Sequence, residues 1–197
     1  MLPLILAGLA VWWLLRQKSA GTAIMEGLSM EKQAPGDAGG IQLAYLHWVD
    51  VRTALGLTTS DKTAIAFSRS FQMSGLASLF KSMGYDWRGV AAISLHETGY
   101  GTSHAAMLHD NMFGVSYRGA SGIWQPLRYD SLAHCASGFI QTMHNTKNSK
   151  GAQRYAGALA VRSTGETFIG ALNFAGYNST ESWRRGVLSA YGRLLST

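Results

Sequence analysis

The sequence predicts an α+β fold in which helices dominate. From residue 41 onward, apolar residues recur close to every 3.6 positions in nearly every segment. One pair of short runs, "MFGVSYRG" and "GIWQPLRY" around "ASG", has instead the composition and turn of a β-hairpin. Helices grouped before and after one small sheet make an α+β domain rather than an alternating α/β one. A third feature stands apart from that domain: residues 2–15, "LPLILAGLAVWWLL", carry no charge.

That N-terminal run is expected to be a membrane helix. As a helix its fourteen residues reach only about 21 Å, against a hydrocarbon core of about 30 Å. Arg16 and Lys18 can snorkel, and Trp12 and Trp13 can sit at the interface, to close the gap. A secretory signal would carry basic residues ahead of the apolar run, and none is present. Residues 1–18 are therefore assigned as a membrane anchor that meets lipid through residues 2–15. The positive flank at Arg16 and Lys18 directs the domain beyond it to the cytoplasmic side. Residues 19–40 lack periodicity and finish in Pro35, Gly36, Gly39 and Gly40, which makes them a linker to a folded domain at 41–197.

Within that domain the first helix is expected from Ile41, with Leu43, Leu46, Trp48, Val51 and Leu55 on one face and Gly56 as its stop. Ser60 with Asp61 caps a second, running through "KTAIAFSRSFQMSGLASLFKSMG". "DWRGVAAISLHET" is a third, capped by Asp86 and broken by Gly99 and Gly101. A short helix "SHAAMLHD" precedes the hairpin. Helices are then expected at 131–145, 151–160, 164–174 and 181–195.

At 47% hydrophobic the chain has ample material for one core, and its 14% charged residues fall well below the usual quarter. The net charge of +6 is unevenly placed. Residues 1–117 hold eight Lys/Arg and eight Asp/Glu, whereas 118–197 hold nine and three. A basic C-terminal part suits an anionic polymer such as cell wall, anionic lipid or nucleic acid, or serves only for solubility. Because no helix-turn-helix or other nucleic-acid module accompanies it, nucleic acid is not an expected partner. The single cysteine, Cys135, excludes an intrachain disulfide and a Cys-based zinc site; within apolar "LAHCASGFI" it reads as a small buried hydrophobe. The chain also has no G-x-S-x-G elbow and no P-loop.

The chemistry concentrates in "ISLHETGYGTSH". His96–Glu97 begins like the zinc motif H-E-x-x-H, but Tyr100 stands where the second histidine belongs, and His104 and His109 come after it at no recognised ligand spacing. No metal and no cofactor is therefore expected. Glu97 instead falls in the last turn of a helix. There the negative end of the helix dipole, with Trp87 and Tyr100 as an aromatic wall, disfavours the ionised form. A carboxylic acid kept protonated in this way is what glycosidic bond cleavage requires, since the leaving oxygen must receive a proton. The glycines beside it leave clearance for a sugar chain.

"HETGYGTSHAAMLHDNMFGVSYRG" resembles the E-[ST]-G-[WY]-G … N-x-F-G-[IV] signature of family-73 glycoside hydrolases, the endo-β-N-acetylglucosaminidases of the flagellar and autolysin type. The likeness continues in order through "RYDS" at 128–131, "QRYAGAL" at 153–159 and "NFAGYNSTESW" at 173–183, and covers roughly residues 60–195. It implies a lysozyme-like fold acting on peptidoglycan, with Glu97 as general acid. By position, Asn111, Phe113 and Gly114 form the turn that shapes the cleft floor. Tyr177 matches a tyrosine that faces the acid and steers the sugar's N-acetyl group or stabilises the transition state. Tyr100, Tyr129 and Tyr155 are the further substrate contacts, the last two also structural.

The departures from the pattern matter as much. The family's hairpin usually carries a second carboxylate, yet residues 113–129 contain no Asp or Glu. Asp110 and Asp130 flank the hairpin and are the candidates for a second acid, Asp130 being equally suited to cap the helix after it. The family's Thr-Asp-Pro becomes Ser179–Thr180–Glu181. Without a second acid, either the substrate's 2-acetamido group or the muramic 6-hydroxyl must attack, the latter giving 1,6-anhydro ends as lytic transglycosylases do. The expectation is thus a membrane-anchored peptidoglycan hydrolase. Its alternatives are a lytic transglycosylase and a non-catalytic, membrane-anchored wall-binding or structural protein. A short anchor whose charge points the enzyme away from the wall suits a phage virion membrane, with virion structural proteins as partners, as well as a bacterial envelope.

Overall fold

The computed structural model describes residues 46–118 and 122–197, so the expected anchor and linker lie outside the described residues. These residues form an α+β domain, mostly helical, with one two-stranded antiparallel sheet. Among them no helix is long and apolar enough to cross a membrane.

Helix α1 spans Trp48–Ala54 and starts later than the periodicity predicts. Leu46 and His47 are not helical: His47 is extended and its carbonyl accepts the first helical amides, those of Asp50 and Val51. The Leu46 carbonyl accepts from Leu132 N, and the Trp48 amide donates to Asp110 Oδ1 at 2.6 Å. A side chain 62 positions away thus supplies the cap that His47 lacks.

The long second helix is in fact two, α2 (Ala64–Met73) and α3 (Leu76–Ser82). Ser74 Oγ donates to the Phe71 carbonyl, and Gly75 turns left-handed at φ 78°, which ends the ladder. The cap of α2 is Thr63, accepting from Ala66 N, rather than Ser60 or Asp61; Asp61 bonds Thr58 instead.

Helix α4 (Trp87–Thr98) matches its expected bounds, with Asp86 accepting from Arg88 N at one end and Gly99 in the left-handed region at the other. Every residue from Gly89 to Leu95 is buried, and α4 packs against α2, α3, α8 and α9. Small residues allow this: a Cβ on Gly89 would stand 2.8 Å from Gly165 Cα at the start of α8. Short α5 (His104–His109) comes next, capped by Ser103.

The hairpin pairs β1 (Ser116–Arg118) with β2 (Trp124–Pro126), Tyr117 opposite Gln125. Helix α6 (Leu132–Asn145) is capped by Ser131, whose Oγ accepts from His134 N, not by Asp130. Helix α7 covers only Ala156–Ala160; residues 151–155 are not helical, because Asn148 Oδ1 collects the Lys150 and Ala152 amides in a tight turn. Helices α8 (Gly165–Phe174) and α9 (Glu181–Leu195) complete the domain, and Thr180 caps α9.

A line of touching rings crosses the core: Trp48, Phe67, Phe71, Phe80, Phe113, Phe139, Tyr177 and Trp183, with successive centroids 4.3–6.5 Å apart. Five helices, the turn before the hairpin and the segment between α8 and α9 contribute to it. Its last ring, Trp183, lies beside Glu97.

Candidate active site

Glu97 occupies the last turn of α4, half-buried. The helix end beneath it is fixed: Thr98 Oγ1 donates to the Ser94 carbonyl at 2.6 Å and accepts from Gly101 N at 2.8 Å. Glu97 Oε1 accepts from the Trp183 indole N–H at 2.7 Å. Its Oε2 lies over Gly114, where a Cβ would stand 2.5 Å away. The Gly114 backbone, at φ 63°, is a conformation that glycine adopts freely.

Burial pushes the Glu97 carboxyl above its usual range, while the Trp183 hydrogen bond and the charge of His96 pull it back. The sequence argument for a raised acid thus agrees in direction, but the aromatic wall is a different one. Trp87 stacks on Phe71 near the start of α4, ten residues and about 15 Å of helix from Glu97. Tyr100 turns its ring to the Arg193 guanidinium, 5.8 Å from the centroid, and its carbonyl accepts from Arg52. The indole of Trp183 supplies the contact. Sequence reasoning gave Trp183 no role; its signal was a tryptophan in the first turn of a Thr-capped helix.

Tyr177 donates its hydroxyl to the Phe113 carbonyl at 2.7 Å, and its ring lies 5.7 Å from that of Trp183. Burial, then the nearby Glu97 charge, raises its pKa well above the usual value, so the phenol stays neutral. Glu97, Trp183, Tyr177 and the Phe113–Gly114 step therefore close a ring of contacts: two hydrogen bonds, one aromatic pair and one backbone surface.

Asn111 holds that backbone in place. Its Nδ2 donates to the Val115 and Leu127 carbonyls at 2.7 and 3.0 Å, and its Oδ1 accepts from Val115 N. Phe113 is buried and stacked 4.3 Å from Phe139. Tyr155 is buried with its ring 6.3 Å from Tyr177, behind it in the core. Tyr129 is buried at the hairpin base under Gly138, its hydroxyl without a hydrogen-bond partner among the described residues. Of the flanking glycines, Gly99 has open space above its Cα, whereas Gly101 makes room for the Trp48 indole rather than for a ligand.

The candidate second acids are engaged elsewhere or stand apart. Asp110 is buried and divides its oxygens between Trp48 N and His47 Nδ1, the latter at 2.7 Å. Asp130 is almost wholly exposed, 3.5 Å from His134. Glu181, which was not a candidate, accepts from Nε and Nη2 of Arg184. Among the described residues no second carboxylate shifts Glu97. His96 lies edge-on to Trp183 and against Gly186, and no cluster of three or more metal-ligating side chains exists among the described residues.

Two depressions of about 500 and 480 Å³ mark the surface, one between the ends of α2 and α9, the other between the hairpin and α6; Glu97 lines neither. The chemistry points to Glu97 because burial raises its carboxyl and an indole N–H orients it over a glycine surface. Asp86, also half-buried beside an aromatic donor, Tyr191, and a glycine, Gly165, is instead spent on the backbone amides of Arg88 and Gly165. Compared with known proteins, the chain matches no family model, no curated protein and no solved structure.

Proposed function

We propose that this protein cleaves β-1,4 glycosidic bonds of peptidoglycan with Glu97 as the general acid, in a lysozyme-like arrangement. The observation that carries the proposal is the state of Glu97. Burial raises its pKa, Trp183 orients it, and Gly114 puts no Cβ against its second oxygen. The ordered resemblance of four segments to family-73 glycoside hydrolases supports the same reading and suggests the substrate.

Proton placement follows from the indole. An N–H donor at Oε1 keeps that oxygen an acceptor, so when the carboxyl is protonated its proton sits on Oε2. The leaving glycosidic oxygen takes that proton as its bond to C1 breaks. With no second carboxylate acting on Glu97 among the described residues, the nucleophile comes from the substrate. In the hydrolytic route the 2-acetamido oxygen bonds C1, and water then opens the oxazolinium ring, losing its proton to Glu97. In the transglycosylase route the muramic 6-hydroxyl bonds C1 and gives its proton to the Glu97 carboxylate left after the leaving oxygen was protonated. Tyr177, bonded to the Phe113 carbonyl, braces the wall behind the reacting sugar.

Residues 2–15 would hold the enzyme at a membrane, and a virion membrane accounts for an anchor whose flanking charge faces away from the wall. Mass spectrometry of digested peptidoglycan separates the outcomes. New N-acetylglucosamine or muramic reducing ends support hydrolysis, and 1,6-anhydro ends support the transglycosylase route. Intact glycan with saturable binding would favour the non-catalytic wall-binding alternative and end the enzymatic reading.

A further inference from the structure

The trough of about 480 Å³ between the hairpin and α6 has a composition of its own. Val115 and Leu127, bonded to each other across the hairpin base, form an aliphatic floor. Gln141 and Asn145, one helical turn apart on α6, form a wall of primary amides. Arg128 and His134 stand at its margin, and no Asp or Glu lines it.

Thr142 Oγ1 donates to the Gly138 carbonyl and His134 Nδ1 lies 3.5 Å from Asp130, but the remaining hydrogen-bonding capacity of the trough is unused. Among the described residues Arg128 has no acidic partner, and neither the Gln141 nor the Asn145 side chain is hydrogen-bonded. The Tyr129 hydroxyl, buried at the trough wall, is likewise without a partner. A cation, two free amides and an apolar floor match an extended ligand with carboxylates, backbone amides and methyl groups. A sugar ring calls instead for an exposed aromatic face, and the exposed rings nearby, Tyr117 and Trp124, lie outside the trough.

The trough is also close to the reacting centre. Val115 directly follows Gly114, on which Glu97 Oε2 rests, so the step between them is one Cα spacing of about 3.8 Å. A substituent on the sugar bound at Glu97 reaches the trough without a long spacer.

We propose that this trough binds the peptide that peptidoglycan carries on its lactyl groups. Arg128 takes a peptide carboxylate, and Gln141 and Asn145 bond its backbone amides. The identity of the ligand rests on the glycan-cleaving reading, but the binding itself is measurable without any cleavage.

The test titrates the full chain, in detergent, with three probes while following side-chain amide NMR signals. The probes are the free tetrapeptide Ala–D-Glu–diaminopimelate–D-Ala, the disaccharide carrying that peptide, and the disaccharide alone. Both peptide-bearing probes are expected to shift the Gln141 and Asn145 amides saturably. Arg128→Gln and the pair Gln141→Ala, Asn145→Ala should each weaken peptide binding about tenfold. Arg128 is exposed and the α6 pair sits at the surface, so circular dichroism should show all variants folded. Peptide binding without wall cleavage would leave this proposal standing and remove the enzymatic one. Wall cleavage without peptide binding overturns this proposal alone. So does a bare disaccharide that shifts the same amides as strongly, since the trough would then be a sugar subsite.

Discussion

The indole N–H of Trp183 donates to Oε1 of Glu97 across 2.7 Å, joining the first turn of α9 to the last turn of α4. This bond orients the acid and lowers its pKa against the larger effect of burial. Trp183→Phe keeps a ring in the core but removes the donor. Because the lost bond favoured the ionised form, the Glu97 pKa should rise further. The alkaline limb of the pH–rate profile is then expected to move to higher pH, while kcat falls about tenfold or more as the acid loses its orientation. An unchanged profile would mean the indole does not act on the acid.

Gly114→Ala places a Cβ 2.5 Å from Glu97 Oε2 at a backbone φ of 63°. The strain should destabilise the fold by about 1–2 kcal/mol, and displacement of the carboxyl should lower activity well beyond what that loss explains. Gly56→Ala, after α1 and outside the contacts of Glu97, is the control. It is also left-handed but meets nothing within 4 Å, so it should cost about 1 kcal/mol of stability and keep most activity per folded molecule. Thermal melts with activity on the same samples separate the two.

Tyr177→Phe removes the donor to the Phe113 carbonyl and should cost about 1–3 kcal/mol if that acceptor is left dry. A fall in kcat with unchanged KM, on protein that is still folded at the assay temperature, would assign Tyr177 to the transition state as well. Loss of stability alone would confine it to bracing the wall.

These contacts also mark what was legible in the sequence. The course of α4 was, because its signals are local: Asp86 at the start, a run of small and apolar residues, and Gly99 at the end. The hairpin and the span of α9 were legible for the same reason. The partners of Glu97 were not, since Trp183 comes 86 residues later and no local pattern announces the contact. Asp110 illustrates the same limit: next to the hairpin it looks like a spare acid, yet it caps a helix 62 residues earlier in the chain. The break at Ser74–Gly75 was missed because apolar spacing runs on through it, and only the serine hydroxyl and the left-handed glycine reveal the end of the helix.

The raised pKa of Glu97 has a signature in stability. Relative to the unfolded chain, the folded protein favours the protonated form. That contribution is fully present below the ordinary value of 4.5 and is lost as pH rises through the higher folded value. Glu97→Gln cannot ionise. The variant should therefore melt higher than the wild type at neutral pH, with the gap closing below about pH 4.5. A constant gap across that range would show that the carboxyl is not held protonated by burial.

The same variant decides whether Glu97 is the acid. Wild-type protein and Glu97→Gln are incubated with purified peptidoglycan, and soluble glycan fragments are measured by mass spectrometry alongside a thermal melt of each protein. The wild type is expected to release fragments with new chain ends, while Glu97→Gln, equally folded, releases none above background. Full fragment release by Glu97→Gln would contradict the assignment of Glu97 as general acid.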